Sequence, residues 1–421
     1  MRQPKILTTL KEYDRRTLVS DLIAGISVAM VALPLSLAIA IASGAGPEKG
    51  LITAIVGGML ISLFGGSRVQ IGGPTGAFIV VVFSVIAEHG YDGLVLATFM
   101  AGIILLVAGY FRAGRLIALV PEAVVQGFTI GIGVIIATSQ IKDFLGMKTE
   151  SLPADFLEKI SVLWAARDSV NVSALGVALM TLVLIVLLRR LAPRFPGLIL
   201  AVATGSLLAF HMEAPVDTIF SRFGTMPDTL PYPVIPQLSF TRLSELLPSA
   251  IVIAFLAGIE SLLSAMVADR MIRSKHRPNA ELIAQGIANF GSALFAGLPA
   301  TGAIARTAAN ISAGGKTPVA GIVHALTVLV VMMLAGPLVG LLAMPSLAAL
   351  LIIAAWNMTE PHKWKAHIHA PPGDRVLLLI TLMLTVLVDL TVAIGTGVAI
   401  GLALKLRLRN QNGSDWTDPE R

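Results

Sequence analysis

The sequence predicts an all-α polytopic membrane protein, and three observations support this fold class. Of the 421 residues, 55% are hydrophobic and 13% are charged, whereas soluble domains carry roughly 25% charged residues. Apolar runs of about 17–25 residues, long enough to cross a bilayer, recur along the whole chain. Two of these runs are interrupted by short glycine-rich breaks, at 63–76 and 294–303, which resemble each other. We therefore expect membrane-spanning helices with two matched interruptions.

The apolar runs, taken in order, predict about fourteen helical segments. Superposing the two breaks aligns the start of the first run with the start of the eighth, which divides the chain into two halves. The first half is predicted to contain the segments 18–43, 49–65, a short 74–87, 92–111, 121–140, 172–190 and 196–211. The second half is predicted to contain 246–268, 281–296, a short 302–312, 317–335, 337–355, 374–388 and 389–409. An odd number of segments in each half, about seven, makes the second half an inverted repeat of the first.

The division predicts the following parts of the chain: an N-terminal arm at 1–17, a first transmembrane repeat at 18–211, a proline-rich linker at 212–245, a second transmembrane repeat at 246–410 and a tail at 411–421. Basic residues, among them Arg112, Arg189, Arg273 and Lys363, fall in the loops that this topology places on one side. Short loops rich in lysine and arginine stay in the cytoplasm. We therefore expect an inner-membrane protein with both termini in the cytoplasm and the linker outside.

The composition also argues against several function classes. The chain has no cysteine, which excludes disulfides, thiolate catalysis and cysteine-ligated metals. Its net charge of +6 lies mostly in the predicted cytoplasmic loops, so no nucleic-acid partner is needed to explain it. No phosphate-binding loop motif and no constellation of histidine, acid and nucleophile occurs within the predicted spans. The protein is expected not to be an enzyme and to need no cofactor apart from a coupling ion.

The two breaks are where the sequence predicts a binding site. Backbone at membrane depth leaves the helix only where protein or a water-filled cavity satisfies it, and matched interruptions mark the sites of transporters built from repeats. Each break leads into a half-helix whose N-terminus offers free N–H groups and partial positive charge, which suits an anion. The expected substrate-binding residues are Gly73, Thr75, Gly76, Gly302, Ala303 and Arg306. The alternative is that the glycines serve only close helix packing.

Two charged residues within the predicted spans bear on this site. Arg306 lies in the first turn of the second half-helix, where its charge opposes the helix dipole unless an anion or carboxylate is near. Glu260 is the one clear acid in the middle of a long span, and Ser264 shares its helix face. Because a buried carboxylate takes up a proton, pairs with a cation or binds a metal, we expect Glu260 and Ser264 to couple transport to a proton or sodium. Pairing of Glu260 with Arg306 is the structural alternative.

Several short motifs resemble the sulfate permease family, whose animal relatives form solute-carrier family 26. The motifs are VALPLSLA at 31–38, SGAGP at 43–47, QIGGPTG at 70–76, GFT at 127–129 and GAIART at 302–307. The resemblance runs from about residue 18 to residue 410. It implies a seven-plus-seven inverted repeat with core and gate domains, elevator-like motion, a homodimer, and an anion site between the third and tenth helices.

Cyanobacterial bicarbonate carriers of this family resemble the chain around 32–35 and 267–269. The resemblance implies a sodium site at the matching positions Glu260, Ser264, Gly302, Ala303 and Ile304. The chain departs from the carrier pattern because Glu260 replaces an aspartate and Ile304 replaces a hydroxyl residue, which removes an oxygen ligand that a hard cation needs. The departure favours a proton over sodium. Most members also carry a C-terminal STAS domain, which is not expected here.

These observations predict a secondary active transporter of a small anion such as bicarbonate, sulfate or a dicarboxylate. The expected partners are that anion, the lipid bilayer and a second copy of the chain. Two other functions stay open at this point: a nucleobase–cation symporter, which shares the architecture, and an uncoupled anion channel.

Overall fold

The computed structural model describes residues 3–114, 121–149, 152–192 and 196–388, and part of 392–401. The first half contains α1 (Ile6–Thr9), α2 (Arg15–Ala42), α3 (Pro47–Ile52), α4 (Gly58–Phe64), β1 (Gly72–Gly73), α5 (Ile79–Tyr110), α6 (Glu122–Phe144), α7 (Phe156–Ala165), α8 (Val172–Leu191) and α9 (Gly197–His211). The second half contains α10 (Ile219–Phe223), α11 (Phe240–Ile272), α12 (Pro278–Leu294), β2 (Thr301–Gly302), α13 (Ile304–Ser312), α14 (Val319–Gly340), α15 (Met344–Met358), α16 (Trp364–Ile368) and α17 (Pro372–Leu387).

The predicted all-α polytopic fold is confirmed. Within the described residues, seven helical stretches are long and apolar enough to cross a membrane. They are Arg15–Ala42, Pro47–Phe64, Gly76–Tyr110, Glu122–Phe144, Val172–Leu191, Phe240–Ile272 and Val319–Gly340. The chain is therefore a multi-pass membrane protein. The last predicted segment, 389–409, falls largely outside the described residues, and the predicted tail at 411–421 does so entirely.

Both predicted half-helices are present. The first begins as a 3₁₀ turn at Gly76–Phe78 and continues into α5. At Gly90, φ is 71° and ψ is 178°, so the helix breaks there, between the predicted segments 74–87 and 92–111. The second half-helix is α13, within the predicted range 302–312.

The predicted boundary between two later spans is wrong. The predicted spans 317–335 and 337–355 meet near Gly336 and Pro337. Instead α14 continues through both of them to Gly340. A proline this close to a helix end removes one backbone donor but leaves the preceding turns intact, so the chain turns after the helix end and not at the proline.

The stretch predicted as a linker, 212–245, includes helical residues. It contains the short α10, and the long helix α11 already begins at Phe240. The residues from Thr241 to Glu245 are mostly polar, so hydropathy alone placed them outside a span. A helix satisfies its own backbone in water as well as in lipid, so α11 projects beyond its apolar stretch. The helix α7, between the fifth and sixth predicted segments, was not predicted.

The helices pack in two groups. In the first group, α11 and α12 pack along α5 and α14 packs along α2, with α3, α4 and α13 beside them. In the second group, α15 and α17 pack against α6, and α15 also contacts α8, which packs on α9. Small residues allow the close crossings: a Cβ on Gly25 of α2 would collide with the Ala320 carbonyl of α14. The two breaks belong to the first group and come from opposite halves of the chain.

Candidate functional site

The two glycine-rich breaks meet in space. Strands β1 and β2 pair antiparallel, with Gly72 opposite Gly302 and Gly73 opposite Thr301. The Ala303 N–H extends the pairing by donating to the Ile71 carbonyl at 2.9 Å. The strand residues are all buried. Each break therefore satisfies part of the other's backbone, as non-helical backbone at membrane depth requires.

Two of the predicted site glycines are required by their surroundings. Gly73 has a φ of +149°, and a Cβ there would collide with Nη1 of Arg306. A Cβ on Gly302 would collide with the side-chain amide of Gln70. The absence of side chains at these positions brings the guanidinium directly against the backbone of β1.

Arg306 is a buried cation with open donors. Its side chain is 1% exposed, and Nη2 donates to Oγ of Ser36 at 3.1 Å and to the Pro74 carbonyl at 2.9 Å. Its Nε and Nη1 have no hydrogen-bond partner among the described residues. The ion pairs within the described ranges include neither Arg306 nor Glu260, so the alternative pairing of these two residues is not found. A buried charge with unfilled donors is unfavourable without an anionic partner.

Glu260 instead bonds to the first break. The Thr75 hydroxyl donates to Oε2 of Glu260 at 2.7 Å. Ser264, one turn further along α11, donates to Oγ1 of Thr307 at 3.1 Å, and the same oxygen accepts from the Ile71 N–H at 3.1 Å. Ser264 therefore supports the backbone of the first break, while Glu260 lies partly exposed beside Thr75.

The predicted site residues border the seam between the two helix groups. Gly76 is partly exposed, and a Cβ there would lie 2.9 Å from Sδ of Met358 and 3.6 Å from Cδ1 of Ile136, both in the second group. Neither half-helix N-terminus, preceded by Thr75 and Ala303 respectively, is capped by a side chain. The first N–H groups of both half-helices therefore lack a side-chain acceptor among the described residues and suit an anionic ligand.

A second buried acid was missed by the sequence analysis. Glu281 of α12 is 0% exposed, although it lies in the first turn of its helix and not in the middle of a long span as Glu260 does. The Glu281 carboxylate accepts from the N–H groups of Gly66 at 2.8 Å and Ser67 at 3.2 Å, from Ser261 Oγ at 2.8 Å and from Gln285 Nε2 at 2.9 Å. It lies at the start of its predicted span, where an acid is ordinarily at the membrane surface. Its burial is explained by the loop donors that it satisfies.

A spacing signal could have identified this network. Glu281, Gln285 and Asn289 follow each other at intervals of four on α12, which places them on one face of the helix. All three are fully buried. Asn289 bonds to both N–H and C=O of Ala300 in the second break, while Glu281 holds the first. One helix face therefore positions both breaks.

A third buried acid anchors the far end of α13. Asp21 is 0% exposed and accepts from the Lys316 N–H at 2.7 Å and from the N–H and hydroxyl of Thr317. Asn310 of α13 donates to the Val69 carbonyl at 2.8 Å. These bonds hold α13, the half-helix that carries Arg306, along its side at Asn310 and beyond its end at Lys316 and Thr317. Asp21 lies near the start of the first predicted span and gave no signal by hydropathy.

The oxygen atoms available for a metal cation are few. Among the described residues, no group of three or more His, Cys, Asp or Glu side chains is arranged to hold a metal ion. The predicted sodium set contains Glu260, Ser264 and Gly302. The Ser264 hydroxyl donates its hydrogen to Oγ1 of Thr307, and the side chain of Ile304 supplies no oxygen.

Comparison with known sequences places the chain among anion carriers. A family model described as the sulfate permease family matches residues 18–381. The putative sulfate transporter YvdB of Bacillus subtilis is 43% identical over 378 residues, which cover 90% of this chain and 71% of that protein. The bicarbonate transporter BicA of a Picosynechococcus species is 32% identical over 387 residues, covering 88% of this chain and 67% of that protein.

Two solved structures match the fold of this chain. The transmembrane domain of a cyanobacterial bicarbonate transporter BicA matches with a TM-score of 0.82 and 30% identity, covering 91% of this chain and 99% of that one. The structure of SLC26A9 matches with a TM-score of 0.86, covering 96% of this chain and 68% of that one. At 18% identity the second match bears on the fold alone.

Proposed function

Because this chain belongs to the sulfate permease family, we propose that it is a secondary active transporter of a small anion. The candidate substrates are bicarbonate, sulfate and a dicarboxylate. The observation that carries the proposal is the buried Arg306 guanidinium, which presents unfilled N–H donors beside two paired backbone breaks. An anion is the ligand whose charge and acceptor atoms fit this arrangement.

The substrate would bind between the two half-helix N-termini. Thr75 and Ala303 precede these N-termini. Among the described residues, no side chain caps the N–H groups that follow either of them. Gly73, Gly76 and Gly302 would contribute backbone to the site, while Arg306, which lies against Gly73, supplies positive charge. At this position the anion would exchange its water for N–H donors that the fold already holds in place. Donors and positive charge that are fixed in a low-dielectric environment favour binding of an anion.

We propose that Glu260 takes up the coupling proton. While Glu260 is ionised, its oxygen accepts the Thr75 O–H. A protonated carboxyl becomes a donor, and a hydroxyl has both donor and acceptor capacity. Protonated Glu260 can therefore donate to the Thr75 oxygen, which frees the Thr75 hydrogen for the substrate anion. Proton uptake would in this way improve anion binding.

Sodium is the competing coupling ion. It would bind near Glu260, Ser264 and the Gly302 carbonyl. The hydrocarbon side chain at Ile304 argues against it, because a hard cation needs several oxygen ligands.

Transport would follow from relative motion of the two helix groups. The site lies on the first group and faces the second through Gly76, so sliding of one group past the other would expose it to either side, as in an elevator. The proposal includes repeats at 18–211 and 246–410, an extracytoplasmic linker, cytoplasmic termini in an inner membrane, and a homodimer.

Uptake into proteoliposomes tests this function. Purified protein is reconstituted and supplied with radiolabelled bicarbonate, sulfate, succinate or uracil under an imposed proton gradient, sodium gradient or neither. The proposal predicts concentrative uptake of one of these anions, driven by the proton gradient. Rapid equilibration without concentration would identify a channel, and transport of uracil alone would identify a nucleobase symporter.

A matched pair of variants tests the coupling residue. Glu260→Gln keeps the size of the side chain but cannot ionise, so it should exchange anions without a response to pH. Glu245→Gln, at an exposed position, is the control and should behave as the wild type. Full proton-driven uptake by Glu260→Gln would end the coupling assignment.

A further inference from the structure

A buried lysine crosses the seam between the helix groups. Lys159 of α7 is 4% exposed, and its Nζ lies 5.6 Å from the centroid of the Phe83 ring. Phe83 belongs to α5 in the first group, whereas α7 packs on α6 and α17 in the second. The lysine–ring contact therefore joins the two groups.

The contact lies at one defined end of the seam. Gly44 lies two residues beyond Ala42, the last residue of α2, and a Cβ there would lie 3.4 Å from the Phe83 ring. The N-terminal arm precedes the opposite end of α2. The contact is thus on the side away from the N-terminal arm, which is the outer side in the proposed topology.

Lys159 is held without an ion pair in the part of the chain that the structure describes. None of the ion pairs within the described residues includes Lys159. Asp155 caps the N-terminus of the same helix, because its side chain accepts from the N–H groups of Leu157 and Glu158. Burial lowers the pKa of Lys159, and the charge of Asp155 offsets part of this effect. An ammonium group in such a place is attracted by the face of an aromatic ring, and the attraction is strongest where water is excluded.

The opposite face of α7 is apolar and exposed. Leu157, Ile160 and Trp164 are 60%, 44% and 70% exposed and lie along one side of the helix. Apolar and tryptophan side chains at a membrane surface hold a helix in the interface. Lys159 points the other way, into the seam.

We propose that Lys159 and Phe83 form a latch that holds the outer end of the seam closed and separates when the anion site opens to that side. The inference rests on the proposed alternating access. When the groups separate, the ammonium group exchanges the ring for water. Because hydration offsets most of the lost attraction, the latch sets the balance between closed and open states without preventing opening.

Cross-linking tests whether the contact must open. The chain has no native cysteine, so Phe83→Cys/Lys159→Cys carries one reactive pair, with each single variant as control. Treatment with a reducible bis-methanethiosulfonate should join the pair, abolish uptake into proteoliposomes, and allow uptake to return after reduction. A joined pair that still transports would overturn the latch. The joined product is measured by mass spectrometry, which does not depend on transport, so failure of the proposed function is seen separately as absent uptake by the wild type.

A double-mutant cycle tests the attraction itself. Lys159→Met and Phe83→Leu keep apolar bulk but remove the cation or the ring. Each should shift the apparent external anion affinity by roughly 3- to 30-fold, the range expected for a partly to fully desolvated pair, and the double variant should add no further shift. Lys148→Met, at an exposed position on the same side, is the control and should leave affinity unchanged. Additive effects of the two changes would contradict a direct contact.

Discussion

The Thr75 hydroxyl donates to Oε2 of Glu260 at 2.7 Å, which joins the first backbone break to a helix of the opposite repeat. Arg306 reaches the same break through the Pro74 carbonyl. The proposed coupling group and the proposed anion-attracting group thus contact adjacent residues of one short segment. A proton gained at Glu260 would therefore change a hydrogen bond one residue away from the Arg306 contact.

Removal of the Thr75 hydroxyl should uncouple proton and anion. Thr75→Val keeps the shape of the side chain but offers no hydrogen bond to Glu260 or substrate. A neutral hydrogen bond contributes about 0.5–1.5 kcal/mol, so apparent anion affinity should fall by roughly 2- to 10-fold and its dependence on pH should weaken. Thr75→Ser, which retains the hydroxyl, should restore both. Uptake measured across pH checks this, and a valine variant with the wild-type profile would rule it out.

Loss of the guanidinium should weaken anion binding. Arg306→Ala removes unfilled donors whose charged hydrogen bonds contribute about 1.5–3 kcal/mol, so binding should weaken by roughly 10- to 100-fold. Arg167→Ala provides the control, because that residue is exposed and stacks on Trp164. Equilibrium binding of the radiolabelled anion to detergent-purified protein is the measurement. Unchanged affinity in Arg306→Ala would reassign the arginine to structure.

A methyl group at Gly73 should disrupt the break. Gly73→Ala places a side chain at φ +149°, against Nη1 of Arg306. Backbone strain of this kind costs about 1–3 kcal/mol, so the thermal unfolding temperature should fall and transport should be lost. Gly176→Ala on α8 meets nothing within 4 Å and should be neutral or stabilising. Equal behaviour of the two variants would show that the conformation at Gly73 is not required.

Neutralising Glu281 should loosen the first break. Glu281→Gln cannot accept all the bonds from Gly66, Ser67, Ser261 and Gln285, and each buried group left unpaired costs about 1–3 kcal/mol. We expect a lower unfolding temperature than for the exposed control Glu245→Gln. Differential scanning fluorimetry in detergent measures it. A Glu281→Gln protein as stable as the control would mean that the network contributes little.

Glu360 should make the protein less stable in acid. Burial raises the pKa of Glu360, but hydrogen bonds from Lys363 and Gln126 outweigh burial and lower it below its usual value of 4.5. A carboxyl with a lowered pKa in the folded state stabilises the protein above its unfolded pKa, and this contribution is lost as pH falls through the folded pKa. Below about pH 4.5 the wild type should therefore lose stability more steeply than Glu360→Gln. Parallel unfolding curves for the two proteins would contradict this effect.

The positions of the two backbone breaks were predictable because membrane depth allows few exceptions to helical backbone. The breaks around Gly73 and Gly302 stood out for that reason, and they pair as expected. Thr75 and Glu260 were each identified, but their mutual bond was not, because residues far apart in sequence reveal no distance. Arg306 was identified by its position in an apolar helix, although its contacts with Ser36 and Pro74 depend on packing.

The supporting acids were not predictable by the same reasoning. Asp21 and Glu281 lie at the ends of apolar runs, where hydropathy places a carboxylate at the membrane surface. Their burial depends on loop N–H groups that fold back over them, which is a tertiary effect. The continuation of α14 past Pro337 shows a similar limit. Packing of the helix outweighed the low helix propensity of proline.

Cryo-electron microscopy of the protein in lipid nanodiscs, with the transported anion at saturating concentration, tests the central claim most directly. The proposal predicts density for the anion between the N-termini that follow Thr75 and Ala303, weakened or absent in Arg306→Ala. Density for the anion elsewhere in the molecule, with the space between the two breaks filled by side chains, would contradict it.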